Sequence, residues 1–481
     1  MSNRSTLVIC LASAALVATS ACAVGPAYHR PEAPQEQAFR EAPPSGWATA
    51  APADGAVRGA WWQAFHEVGL DALIARVSID NQNVLAAEAQ YRAAQATVEG
   101  ARAAYFPVAS ATPAAARLTT ATGIDQPQYV LPLAVSYQAD VWGSIRRSVR
   151  GASAQAQASA ADLENATLLY QSELAIDYFQ LQGIDADRRV LEATVQSFEQ
   201  YLQLTRDRYE GGVVSQADVA LADAQLETAR IQLADVSIAR AEFEHAIAVL
   251  IGQPPAEVSI EPEAEQTEPP AVSEGLASTL LERRPDVAAA ERRVAAANEE
   301  IGVAEAAYFP ILSLAAGGGL QATALAELFT EPTRVWSLGV QLAATIFDGG
   351  RRRAQVHLTE AAYDATVANY RQTVLTGFQQ VEDALAALRV LSDEAGISVR
   401  AVAAAQQSLD LSTTQYRGGL VNYLQVITAQ TSLLQNQRAS VDIRTRQLVA
   451  SVSLIQALGG GWDASQLPSA KDVAHGPRSA S

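Results

Sequence analysis

Few residues in this sequence are spaced for bond-making chemistry. The five histidines, His29, His66, His245, His357 and His475, are scattered. None belongs to an HExxH pair, the spacing that lets two imidazoles on one helix face share a zinc ion. Gly317-Gly318-Gly319 and Gly459-Gly460-Gly461 lack the Lys and Ser/Thr that a phosphate loop needs beside its glycines. The one methionine is the first residue, and the two cysteines, Cys10 and Cys22, both precede Ala23. These counts argue against a copper relay through soft ligands and against a disulfide framework. One thiol does sit where modification is chemically sensible: Cys22, directly after Thr19-Ser20-Ala21.

The residues before that thiol explain why. Met1-Ser2-Asn3-Arg4 is followed by an apolar run from Leu7 to Ala18 and then by small residues. This is the layout of a secretory signal peptide, residues 1–21, and the run is too short to span a bilayer as a helix. Cys22 has two readings. As a lipoprotein cysteine it becomes the acylated N-terminus, although Thr19 stands where leucine is usual. As the middle of Ala21-Cys22-Ala23 it is discarded by ordinary cleavage. Apart from this lipid on Cys22, no cofactor is expected.

Composition narrows the class. Apolar residues make up 49 % of the 481, but aromatics only 6 %, so much of the apolar fraction is alanine. That favours long, closely packed helices over a bulky globular core. A net charge of −18 without a basic stripe excludes nucleic acid as a partner.

The chain also repeats itself. Ala103-Ala104-Tyr105-Phe106-Pro107 recurs as Ala306-Ala307-Tyr308-Phe309-Pro310. Arg208-Tyr209-Glu210-Gly211-Gly212-Val213-Val214 recurs as Gln415-Tyr416-Arg417-Gly418-Gly419-Leu420-Val421. The sequence divides accordingly. After the signal peptide comes an extended segment, 22–60. The first copy spans 61–253, an acidic Pro-rich linker 254–280, the second copy 281–467 and a disordered tail 468–481.

Each copy reads helix, strand, strand, very long helix, helix. In the first, helical spacing over 83–105 stops at Pro107, and a weakly strand-like stretch covers 118–127. Leu131, Leu133, Val135, Tyr137, Ala139 and Val141 then alternate with polar residues, the period of a strand with one apolar face. Trp336, Leu338, Val340, Leu342, Ala344 and Ile346 do the same in the second copy. Residues 144–208 and 351–417 contain no proline. Rods of about 100 Å cannot bury an apolar stripe alone and need parallel partners. The Gly-Gly pairs reverse the chain into helices over 216–250 and 423–458.

Four such strands cannot close a barrel. An open sheet edge cannot face lipid, because its backbone groups have no water there. Two chains would give eight strands around a filled interior, and three would give twelve around a lumen. The fold expected from these elements is mainly α with a small β part, a membrane barrel closed by several chains and continued by a helical tube. The alternative is a soluble periplasmic coiled-coil structural or adaptor protein.

The sequence resembles the TolC-like outer-membrane efflux family, in the lipoprotein branch serving resistance-nodulation-division pumps. The resemblance is carried by Val24-Gly25-Pro26-Ala27-Tyr28-His29-Arg30-Pro31, Leu281-Glu282-Arg283-Arg284-Pro285-Asp286, both Tyr-Phe-Pro turns, both Gly-Gly turns and Ala457-Leu458-Gly459-Gly460-Gly461-Trp462. It implies a homotrimer in outer-membrane lipid, with a twelve-stranded outer-membrane barrel continued by a periplasmic α-helical tunnel, a periplasmic adaptor, an inner-membrane pump, and passive export without catalysis. It also implies a gate after the Gly-Gly turns, with Asp218, Gln425, Tyr209, Tyr416 and Arg417 near it. Gln425 stands where the family often has an acid. Asp218 also fits a plainer role, favouring the start of its helix through the helix dipole. Gly211, Gly212, Gly418 and Gly419 are the implied adaptor-docking turns, or serve only to permit the reversal.

Overall fold

A computed structural model describes residues 23–34, 39–41, 60–119, 125–263, 266–270, 283–330 and 333–474. The signal peptide, Cys22, His475 and residues 264–265 and 271–280 of the linker lie outside these residues. In the first copy, a 3-10 turn at Trp61–Phe65 leads to α1 (Val68–Asp80) and α2 (Gln82–Ala103). Strands β1 (Val108–Ala111), β2 (Ala114–Thr119) and β3 (Asp125–Ala139) follow, then α3 (Ser144–Glu210) and α4 (Gln216–Leu250). The second copy runs α5 (Pro285–Ala306), β4 (Ile311–Ala322), β5 (Thr333–Ala343), α6 (Arg351–Arg417) and α7 (Tyr423–Ala457).

Helices α3 and α6 have 67 residues each, a rise of about 100 Å. Shorter helices laid end to end flank them, the pairs α2/α4 and α5/α7 beside α3 and the pair α5/α7 beside α6. Near the sheet, α2 and α5 pack beside α3, where Ala154, Ala156, Ala158, Ala160 and Ala161 are buried. Methyl-sized side chains there let the backbones approach closely. Further along, α4 and α7 replace them. No helix of the described residues is long and apolar enough to cross a membrane.

The end-to-end joints depend on specific polar contacts. Asn81 caps α2, its Oδ1 accepting from the Asn83 and Val84 backbones, while its Nδ2 donates to the Leu250 carbonyl at 2.8 Å. In the second copy, Arg284 donates to the Ala457 carbonyl at 2.8 Å and pairs with Asp286. The motif around Arg284-Pro285-Asp286 thus meets the C-terminal glycine run. Gly459 has φ +92, and a Cβ there would lie 1.9 Å from the Arg283 carbonyl oxygen. Gly252 repeats the arrangement against Asp80 in the first copy, at φ +69 and 2.3 Å. The left-handed backbone alone costs a non-glycine residue about 1–3 kcal/mol. Gly459→Ala should therefore lower the midpoint of thermal unfolding by several degrees and reduce recovered protein. An unchanged midpoint would refute the close approach.

The sheet is antiparallel in the order β1 and β2 on one edge, then β3, β4 and β5. Leu131, Leu133, Val135 and Tyr137 lie beside Leu320, Gly318, Ala316 and Leu314, which lie beside Arg334, Trp336, Leu338 and Val340. The other face carries Ser136, Gln138, Ser313, Ser337 and Gln341 in register. Trp336 and Leu338 are 82 % and 76 % exposed, an apolar face left uncovered by the described residues. The outer edges of β1/β2 and of β5 have no partner strand among the described residues.

Three expectations need correction. The first strand begins at Val108 and is broken at Thr112-Pro113, since proline has no N–H for the ladder. Strands β3 and β5 end at Ala139 and Ala343, so Val141, Ala344 and Ile346 fall beyond them. Residues 468–474 are not a loose tail. Val473 is fully buried against Val98 and Ala156, and the Pro468 and Ala474 carbonyls accept from Gln157 and Arg102.

Candidate functional site

The end of the helical rods farthest from the sheet carries both Gly-Gly turns. Gly212 and Gly419 have φ +71 and +76, a conformation glycine adopts without steric cost. Val213 donates to the Arg208 carbonyl at 2.8 Å, and Leu420 to that of Gln415 at 2.9 Å. These bonds close both long helices by the same six-to-one motif. Gly211 and Gly418 are right-handed, φ −75 and −76, and their surroundings admit a Cβ. Backbone geometry therefore demands glycine at only one position in each pair.

Asp218 completes a capping box. Its carboxylate accepts from the Ser215 backbone at 3.0 Å, while Ser215 Oγ accepts from the Asp218 backbone at 3.3 Å. The plainer role expected of Asp218 is thus present in the geometry, and the side chain is half-buried. In the second copy, Asn422 Oδ1 accepts from the Gln425 backbone at 3.4 Å, which leaves the Gln425 side chain out of the cap. Tyr209, Arg417 and Gln425 are exposed.

Tyr416 is different. It is 1 % exposed and packs on Tyr423, ring centroids 5.5 Å apart, in a core with Phe198, Leu202 and Leu409. Burial raises the Tyr423 phenol above its ordinary pKa, with Tyr416 and Tyr201 adding to the effect, so it stays neutral. Tyr201 and Thr413 share a hydrogen bond of 2.6 Å between α3 and α6.

A residue outside the expected set ties the two hairpins together. The Arg208 guanidinium lies 4.6 Å over the Tyr416 ring. It donates to the Tyr416 and Arg417 carbonyls at 2.8 and 3.3 Å. A cation at the C-terminal carbonyls of α6 also meets the negative end of that helix's dipole. The clue in the sequence was an inequality between copies, Arg208 against Gln415.

Taken together, an exposed apolar sheet face, two unpaired sheet edges and long helices ending in a latched tip define a membrane channel continued by a helical tunnel. The family model for outer membrane efflux protein matches residues 73–253 and 276–460. The chain is 31 % identical over 450 residues to the probable efflux pump outer membrane protein TtgC of Pseudomonas putida, covering 92 % of this chain and 93 % of that protein. It is 32 % identical over 415 residues to the pyoverdine export outer membrane protein OpmQ of Pseudomonas aeruginosa, covering 84 % and 87 %. The solved structure of the outer-membrane channel OprN matches with a TM-score of 0.83 at 27 % identity, covering 92 % of this chain and all of that one. The chain belongs to the outer membrane efflux protein family. It is the outer-membrane channel of an efflux pump, located in the outer membrane and extending into the periplasm. The soluble coiled-coil alternative is set aside.

Proposed function

We propose that three copies close a twelve-stranded barrel and a single tunnel. The duct passively conducts small molecules that an inner-membrane resistance-nodulation-division pump delivers through a periplasmic adaptor. The two unpaired sheet edges carry this reading. In lipid each unpaired backbone group costs several kcal/mol, and neighbouring copies can pair β5 with β1/β2. Four strand positions per chain make twelve in three copies, a barrel wide enough for a lumen.

The tips form the gate and the docking surface. Arg208 holds the hairpins together, while Asp218, Gln425, Tyr209 and Arg417 present polar groups around the constriction. Gly418, whose φ tolerates a side chain, distinguishes docking from folding. Gly418→Leu should keep the assembly intact and reduce pump-dependent export. Loss of assembly would leave the glycine with a folding role only.

Cys22 is the lipid anchor. Support comes from the residues after it. The Val24 N–H donates to the Trp142 carbonyl at 3.1 Å, and Ala23 lies against Gly143. The N-terminus is therefore pinned where the sheet meets the helices, the level at which an acyl chain enters a bilayer. The mass of the mature N-terminus tests this, because cleavage before Val24 leaves no thiol to acylate.

The proposed duct is tested by single-channel recording in a planar bilayer, with the mass of the detergent-solubilised species measured alongside. Discrete, mostly closed channels from a three-chain species are expected. In that assay Asp218→Ala should raise the open probability severalfold, and an unchanged value would confine Asp218 to its capping role. A monomeric, non-conducting protein would overturn the duct itself.

A further inference from the structure

Just beneath the sheet, a cavity of about 380 Å³ opens on the chain's own helix row, away from the tip. Its walls carry Arg102 from α2, Arg150 from α3, Arg292 from α5 and Lys471 from the C-terminal segment, with Tyr28 and Glu299 beside them. Four cations from four elements at one cavity stand out in a chain of net charge −18. The neighbouring acids are already engaged. Glu299 pairs with Arg147 at 3.1 Å, and Glu291 holds both Arg292 and the Tyr28 hydroxyl. Arg102 donates to the Ala474 carbonyl, which leaves its charge unmatched by that bond. Arg150 is exposed and forms no ion pair with any described carboxylate.

The position of the cavity indicates what would neutralise it. Arg102 is one residue from the end of α2, and Arg150 is about 9 Å along α3 from its start. Both are within electrostatic reach of Tyr105. Tyr105 and Phe106 are exposed at the helix-to-strand turn, and Trp142 stacks on Phe309 at 4.8 Å beside it. Aromatic side chains of this kind settle at the boundary between lipid and water. A cationic hollow directly below that boundary faces headgroups rather than bulk periplasm.

We propose that this cavity binds the phosphodiester headgroup of an anionic phospholipid in the periplasmic leaflet, with Arg150 as its principal cation and Arg102 beside it. The guanidinium fork suits paired phosphate oxygens. The bound lipid would hold α2, α3 and the C-terminal segment together at the membrane surface.

The test uses the full mature protein, stripped of lipid in detergent and examined by native mass spectrometry. Dioleoyl phosphatidylglycerol, dioleoyl phosphatidylcholine and inorganic phosphate are the probes. Phosphatidylglycerol should be retained preferentially, at one molecule per chain. Arg150→Gln should weaken it about fivefold and Arg150→Glu roughly thirtyfold, as expected for about one cation's worth of attraction lost per unit charge. Arg150→Lys should retain the preference. Equal retention of the two lipids would overturn the proposal, as would an Arg150→Gln protein that behaves like the parent. Inorganic phosphate competing as well as the lipid would overturn the membrane source. Because Arg150 is exposed and makes no internal ion pair, these variants should fold and assemble like the parent, which the same spectra report.

Discussion

Replacing Arg208 with alanine is expected to raise the open fraction of the channel about a hundredfold. The guanidinium makes two bonds to the end of α6 and covers the Tyr416 ring, and it is half-buried. Bonds to charged groups are worth about 1.5–3 kcal/mol when well shielded. Partial exposure reduces this to roughly 1 kcal/mol per copy. If three tips part together, about 3 kcal/mol is lost from the closed state, and every 1.4 kcal/mol is a factor of ten. Arg208→Lys should fall between parent and alanine, keeping the charge but losing the fork. The readouts are open probability in a bilayer and entry of a bulky antibiotic into intact cells. An intact trimer with unaltered open probability would remove Arg208 from the gate.

The second large effect concerns the sheet. Leu338→Arg should abolish membrane assembly. Leu338 is 76 % exposed on the apolar face, in register with Ala316 and Val135. A lipid-facing arginine near the bilayer midplane costs about 2–4 kcal/mol, and three copies each contribute one. Gln341→Arg, on the opposite face, should assemble normally and lower cation conductance. Membrane fractionation and the mass of the extracted species separate the two outcomes. Because neighbouring strand residues point to opposite faces, a one-residue error in register would exchange these results. If both variants assemble alike, the apolar face does not meet lipid.

Periodicity carried much of the fold into view. The long helices appear within two residues of their expected ends, because proline-free runs and Gly-Gly breakers are local signals. Strand β1 was missed for an equally local reason. Val108-Ala109-Ser110-Ala111 has little size alternation, and its partners lie 22 to 28 residues away in β3. The segment 468–474 carries no period of its own, and its order comes from Val473 entering a gap between Val98 and Ala156.

By itself the sequence determined the duplication, the helix and strand periods and the reversals. All of these depend on residues close along the chain. Tertiary structure alone decided which distant groups meet. It set Asn81 on Leu250 and Arg284 on Ala457, separations of 169 and 173 residues. It engaged Asp218 in a helix cap, gave Arg208 the link between hairpins, and gathered Arg102, Arg150, Arg292 and Lys471 around one cavity. Such contacts depend on how the rods pack in three dimensions, and no local period encodes that packing.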